Sequence, residues 1–314
     1  MNRKFLKKWS PRLIVVLVAM IIVYAALVSN PTNAFSHKVC TSWQMVKNKS
    51  FILSHRPFSE NIINTAYADN ITEQQAEQVP VLMYHYLVPK SLNKEPGNKS
   101  VMNVEDFEKG MDYLHQEGYY TPTLQELEQY VNGEITLPKK SVVITFDDGY
   151  ENNLVYAYPI LKKYNFNAAI FVIGSKTQEN NEPFDPARKS FLTKAQMEES
   201  KDVFEFHSHT YNLHYKGFEK CGSTYAAGLD TKLLKQDMKQ MKEFGIDTPY
   251  FAYPYGNKST QMMYYLREEG YRMAFSVRQG FVKPGDNPMK LNRLTVTTGT
   301  DLSVLLHPPA ESLE

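Results

Sequence analysis

The sequence predicts an α/β fold whose parallel strands close, or nearly close, into a distorted β/α barrel; an open doubly wound sheet is the alternative. Two observations predict it. From Val79 to Thr297, short apolar runs alternate with amphipathic helical stretches, and so many strand–helix–strand repeats require parallel βα units with right-handed crossovers. Tight turn signals and helix caps punctuate those repeats, with no internal sequence repeat and no low-complexity tract. In either architecture, functional residues should collect at the C-terminal ends of the strands.

The elements follow in order. Val79–Tyr86 reads as a buried strand. Asn103 offers an N-cap to a helix carrying Val104, Phe107, Met111 and Leu114 on one face and stopping at Gly118. Thr123 and Glu126 form a capping box for a second helix that ends near Gly133. Ser141–Phe146 is a β-branched strand, followed by helix over Asn153–Tyr164 and strand over Ala168–Ile173. Thr193 to Gln196 caps another helix ahead of a strand at Val203–His207. After Asp230, Leu233, Leu234, Met238, Met241 and Phe244 mark a long amphipathic helix ending at Gly245. Strand at Tyr250–Tyr253, helix from Ser259 to Glu269, and strands at Met273–Val277 and Leu291–Thr297 complete the pattern.

Material before the barrel has another character. Arg3, Lys4, Lys7, Lys8 and Arg12 precede an uncharged run of 16 residues, Leu13–Val28. That is longer than a typical signal-peptide core and shorter than the roughly 20 residues of a full span. Extension through Ser29 to Ala34 makes residues 1–34 an expected uncleaved signal anchor; a cleaved, secreted form is the alternative. Positive charge ahead of the run puts the remainder outside the cytoplasm. Residues 35–78 read as a stalk, leaving 79–314 as the catalytic domain. Cys40 and Cys221 show no metal-ligand spacing, and either a bridge between stalk and domain or two unpaired thiols fits them.

Lys and Arg total 35 against 34 Asp and Glu, a net charge of +1. This balance gives no reason to expect nucleic acid as a partner. A neutral glycan suits it better, and the 21 tyrosines agree, although tyrosine is equally a core residue.

Three segments carry candidate chemistry. Val143 to Tyr150 ends a hydrophobic strand in adjacent carboxylates, Asp147 and Asp148, just before Gly149. Neighbours in a regular strand face opposite ways, so Gly149 is expected to relax the backbone and let both turn inward. A solvated Asp-Gly turn would explain these residues as well. Glu205 to His214 places His207, His209 and His214 within eight residues, out of eight histidines in the chain. Two neutral imidazoles and one carboxylate make a facial metal site with open positions. His209 and His214 would have to converge through a loop, and His207 reads as a hydrogen-bonded structural residue. Phe251 to Gly256 runs a strand into a Pro-Tyr-Gly turn, which alone implies nothing.

Together, in this order, the three segments resemble the polysaccharide deacetylases (NodB homology, carbohydrate esterase family 4) over about Val79–Thr297. The wide spacing in Ser208–His214, the segment Ala252–Gly256 and the segment Tyr156–Tyr164 look like the branch acting on poly-β-1,6-N-acetylglucosamine. The resemblance implies a distorted NodB-like barrel and a divalent metal on Asp148, His209 and His214, with zinc expected and nickel, cobalt or manganese also compatible. It implies Asp147 as general base, the backbone N–H of Tyr255 at the oxyanion, and a catalytic-acid histidine. That branch resembles a circular permutation, which points to His85 in Leu82–His85; His307 could imitate the commoner C-terminal position. The family arginine before Pro-Tyr-Gly is missing, because Phe251, Ala252 and Tyr253 stand there. No Asp-x-x-x-Trp motif is present, which leaves the histidine's partner unassigned. Arg293 is a candidate site residue or a structural ion pair.

The function so implied is removal of acetyl groups from N-acetylglucosamine units of an extracellular polymer, releasing acetate. Peptidoglycan or chitooligosaccharide N-deacetylation is the nearest alternative, with loops at Pro183–Phe191 and Lys216–Tyr225 choosing between polymers. A non-catalytic glycan-binding relic would have lost one of Asp147, Asp148, His209 or His214. A two-carboxylate glycosidase would give the histidines no role.

Overall fold

The computed structural model describes residues 75–180, 182–215 and 231–307. Within them, seven parallel strands form one sheet. In chain order the strands are β1 (Val81–Tyr84), β2 (Tyr86–Val88), β3 (Val101–Asn103), β4 (Val143–Asp148), β5 (Ala168–Val172), β6 (Phe204–Ser208), β7 (Tyr250–Ala252), β8 (Met273–Phe275) and β9 (Leu294–Thr295). The spatial order is β8-β7-β6-β5-β4-β1-β9, with β2 and β3 paired separately. Leu291, just ahead of β9, bridges in parallel to Phe275, donating to the Ala274 carbonyl at 3.0 Å. The chain from Leu291 to Thr295 therefore touches both edges of the sheet. The result is a distorted, incompletely closed barrel, as the alternation of elements predicts.

The period of two along each strand sorts side chains onto an inner and an outer face. Val81, Val143, Ala169, Phe171, Tyr250, Ala252, Met273, Phe275 and Leu291 meet inside the barrel. Leu82, Tyr84, Ile144, Phe146, Ile170 and Val172 face outward, against Phe107, Met111 and Leu114 of α1 (Val104–Gln116) and Leu161 of α3 (Tyr158–Lys163). The interior core also takes Leu124, Leu127 and Tyr130 from α2 (Leu124–Val131). Ahead of β1, Ala76 donates to the Leu137 carbonyl at 2.9 Å, so packed structure reaches back at least that far.

Both capping boxes form: Thr123 with Glu126 at α2, and Thr193 with Gln196 at α4 (Lys194–Glu199). Asn103 holds the N-cap position of α1 but makes no cap bond, because its amide is engaged by Asp106 and its side-chain oxygen by Asn93. The helix expected over Asn153–Tyr164 instead opens with a π-turn, Asn153–Ala157, before α3. The first apolar run is broken at His85 into β1 and β2. The remaining α-helices among the described residues are α5 (Thr231–Phe244), α6 (Thr260–Glu268) and α7 (Leu302–Leu305). The expected anchor, Cys40, Cys221, the loop Lys216–Tyr225 and all of the expected stalk but its last four residues lie outside the described residues. Among the described residues, no helix is long and apolar enough to cross a membrane.

Candidate metal centre and active site

The alternation that fills the barrel interior also carries Thr145, Asp147 and Arg293 inward. Asp147 is 2% exposed and Arg293 is fully buried. Arg293 grips both carboxylate oxygens, Nη1 to Oδ1 and Nη2 to Oδ2, each at 2.7 Å. Its Nε donates to the Ser276 carbonyl at 3.0 Å, and its guanidinium lies 5.7 Å from the Phe171 ring centre. Burial would raise the Asp147 pKa, but the Arg293 charge and hydrogen bonds, with His209 and His85 nearby, hold it well below the usual carboxylate range. A buried cation from the chain just ahead of β9 thus holds Asp147.

Asp148 would ordinarily point away from Asp147. Its backbone adopts φ 77°, and Gly149 follows at φ 78°, so the turn begins one residue earlier than glycine alone implies. This swings the Asp148 carboxyl towards His209 and His214. Asp148 Oδ1 lies 3.6 Å from His209 Nε2 and 3.4 Å from His214 Nε2. One ligand atom from each of the three residues fits within 4.8 Å. His209 Nδ1 bonds the Ala252 carbonyl at 2.8 Å, an arrangement that leaves Nε2 as the lone pair facing Asp148. Burial lowers the His209 pKa to about 3 and also depresses His214. Both rings are therefore neutral near pH 7, and their contacts with Asp148 are not ion pairs.

Burial, together with the Asp147 charge, raises Asp148 to about 6. Its Oδ1 is buried with no hydrogen-bond partner. An orphaned carboxylate oxygen facing two neutral ring nitrogens is the donor set a divalent cation requires. The residues fit the metal.

His85 sits at the break between β1 and β2, with Nε2 3.7 Å from Asp147 Oδ2. Its carbonyl accepts from Asn153 Nδ2 at 2.9 Å, and the Asn152 amide holds the Leu87 carbonyl. Both asparagines are buried at the start of the π-turn. Tyr255, at φ 56°, stacks its ring on His214 with centres 4.5 Å apart. Asp147, Asp148, His85, His209, His214 and Tyr255 therefore come together at one end of the barrel. His207 stays apart, bonded through Nδ1 to Thr248 Oγ1 at 2.6 Å and through Nε2 to Glu205 at 3.3 Å. His307 meets the Tyr119 hydroxyl at 3.3 Å.

A family model described as polysaccharide deacetylase matches residues 134–274. The poly-β-1,6-N-acetyl-D-glucosamine N-deacetylase of Staphylococcus aureus is 30% identical over 213 residues, 66% of this chain and 71% of its own. The chain belongs to the polysaccharide deacetylase family. This deacetylase is related to the IcaB-like branch. The structure of IcaB from Ammonifex degensii superposes with a TM-score of 0.61 at 30% identity, over 75% of this chain and 97% of the other. The Streptococcus pyogenes deacetylase PplD, solved with acetate, gives 0.62 at 25% identity, over 73% and 96%. As a family member the chain is a hydrolase, and Asp148, His209 and His214 are its candidate divalent-metal site.

Arg293, a candidate from the sequence, does reach this site, whereas Asn153 is singled out by no motif. Arg293 has a usable signal, since alternation from Leu291 turns it inward, but nothing in the sequence names its partner. Asn153 has none, because it acts only through the π-turn.

Proposed function

We propose that this deacetylase hydrolyses N-acetyl groups of N-acetylglucosamine units in poly-β-1,6-N-acetylglucosamine, releasing acetate and leaving glucosamine units. The observation that carries the reading is the Asp148–His209–His214 cluster beside an ionised, Arg293-bound Asp147. The likeness to the Staphylococcus aureus enzyme supports the choice of polymer. A divalent cation on the three ligands, which we assign as zinc, would supply Lewis acidity for an amide carbonyl and a water molecule. Nickel, cobalt and manganese share the donor preference.

Asp147 acts as general base, taking a proton from the attacking water. Arg293 fixes both its oxygens, which sets its direction and keeps it ionised while making it a weaker base. His85 delivers a proton to the leaving amine from beside Asp147. The backbone N–H of Tyr255 donates to the oxyanion of the tetrahedral adduct. Water and amide become acetate and a primary amine that is cationic at neutral pH, so the product polymer adheres to anionic surfaces.

We also read residues 1–34 as an uncleaved anchor and 35–78 as a stalk, with the catalytic domain extracellular. The basic residues ahead of Leu13–Val28 support this, and protease shaving of intact cells followed by fractionation tests it.

Acetate release from purified poly-β-1,6-N-acetylglucosamine, peptidoglycan and chitooligosaccharide tests the substrate. Release from peptidoglycan alone would transfer the assignment to that polymer. Asp147→Asn should retain bound metal and lose roughly 10²- to 10⁴-fold in turnover; a variant turning over at the parent rate overturns the base assignment.

A further inference from the structure

His209 and His214 belong to one loop, yet they are held differently. His209 is anchored by the sheet: its N–H donates to the Val172 carbonyl at 2.9 Å and its ring bonds the Ala252 carbonyl. Among the described residues no such bond from the sheet reaches His214, which is placed by the path of residues 210–213 and by the Tyr255 ring stacked on it. That path starts at Thr210 with φ 72°. It is then gripped from below. The N–H of Tyr211 donates to Asp237 Oδ1 at 2.8 Å, and the N–H of Asn212 donates to Oδ2 at 2.7 Å. Asp237 lies on α5 and is 4% exposed. No cation pairs with it among the described residues, and both its oxygens are spent on the backbone between the two histidines. A buried carboxylate without a cation is costly unless hydrogen bonds compensate it. Secondary contacts reinforce the clamp, with Ser175 N donating to the Tyr211 carbonyl at 2.7 Å and Ser175 Oγ to Asn212 Oδ1 at 2.8 Å.

We infer that Asp237 is a positioning residue for the metal centre: by clamping the main chain at Tyr211 and Asn212, it holds His214 against Asp148 and so sets the affinity for the cation. The inference rests on the reading of Asp148, His209 and His214 as a divalent-metal site. It assigns a role in metal binding to a side chain that is not itself a ligand. Partners of metal ligands one step removed typically tune affinity by 10- to 100-fold.

The test is Zn²⁺ titration of the full-length chain against a chromophoric chelator, for the parent, Asp237→Asn and Asp148→Ala. Asparagine is nearly isosteric but presents one acceptor and one donor pair to two N–H groups, so one clamp bond is lost. Asp237→Asn is expected to weaken Zn²⁺ binding roughly 10- to 100-fold, and its Co²⁺-substituted form should show an altered ligand-field spectrum. A purely structural role would lower the melting temperature of the metal-free chain and leave affinity and spectrum alone. Should Asp237→Asn fail to fold, Asp237→Ser carries the same comparison with one acceptor oxygen. Parent-like Zn²⁺ affinity in a folded variant overturns the inference. If the parent itself binds no Zn²⁺, or binds it as Asp148→Ala does, the metal-site reading fails instead.

Discussion

Arg293→Met is the sharpest perturbation of this site, because it removes a cation while preserving bulk. Arg293 is fully buried and Asp147 nearly so, and the guanidinium makes two 2.7 Å bonds to that carboxylate and another to the Ser276 carbonyl. Removing one member of a buried ion pair leaves a desolvated charge, a loss of about 3–5 kcal/mol. For a domain of this size that is roughly 6–20 °C in melting temperature. Much of the loss comes from the stranded Asp147 rather than from missing attraction. The double variant Arg293→Met/Asp147→Asn should therefore be more stable than Arg293→Met alone. Thermal melts of the metal-free chain in chelator, for both single variants and the double, measure the coupling as a double-mutant cycle. A single variant melting within 2 °C of the parent, or a double variant whose loss is the sum of the singles, would falsify this account of the pair. Arg293→Lys should recover charge without the fork, and so recover only part of the stability.

Two further expectations follow from bonds already described. Asn153→Ala removes the donor that holds the His85 carbonyl; at about 1 kcal/mol for such a bond, kcat should fall several-fold with KM little changed. Steady-state kinetics with an unaltered kcat would remove Asn153 from the positioning of His85. Burial raises the Asp237 pKa to about 6 from its ordinary 3.8. The folded chain thus binds this proton more tightly than the unfolded chain. The associated stability is full below about pH 4 and is lost as pH rises through 6, by up to about 1.4 kcal/mol per unit. The stability of the parent relative to Asp237→Asn should accordingly decline between pH 4 and pH 6 in denaturant titrations, and a pH-independent difference contradicts the assignment.

The parts of this fold that can be read along the chain are those set by local physics. β4 and β5 are legible because Val143–Phe146 is β-branched and apolar apart from Thr145 and Ala168–Ile173 is a continuous apolar run, as suits doubly buried parallel strands. α2 and α4 are legible because their capping boxes are complete within four residues. What local reading loses is decided between distant elements. β9 keeps two residues in the sheet where seven look strand-like, since Leu291 turns to β8 while Leu294 and Thr295 turn to β1. The π-turn at Asn153–Ala157 replaces regular helix where Asn152 and Asn153 reach back to the carbonyls of Leu87 and His85. Arg293 finds Asp147 across 146 residues of sequence, a pairing that only the closing of the barrel creates.

The adjacent carboxylates show what the site gives up for its function. In a regular strand Asp148 would join Phe146 and Ile144 on the outer face. Instead it occupies a left-handed conformation, at about 1–3 kcal/mol for a non-glycine residue, and keeps a buried oxygen without a partner, worth about 1–3 kcal/mol more. Both penalties belong to the metal-free state, and a cation at the site offsets the second. Asparagine tolerates the left-handed region well, and it is uncharged. Metal-free Asp148→Asn should therefore be at least as stable as the metal-free parent. Added Zn²⁺ should raise the melting temperature of the parent with concentration and leave the variant where it was. A metal-free Asp148→Asn chain that melts well below the parent would mean that the Asp148 carboxylate serves the fold itself rather than the cation.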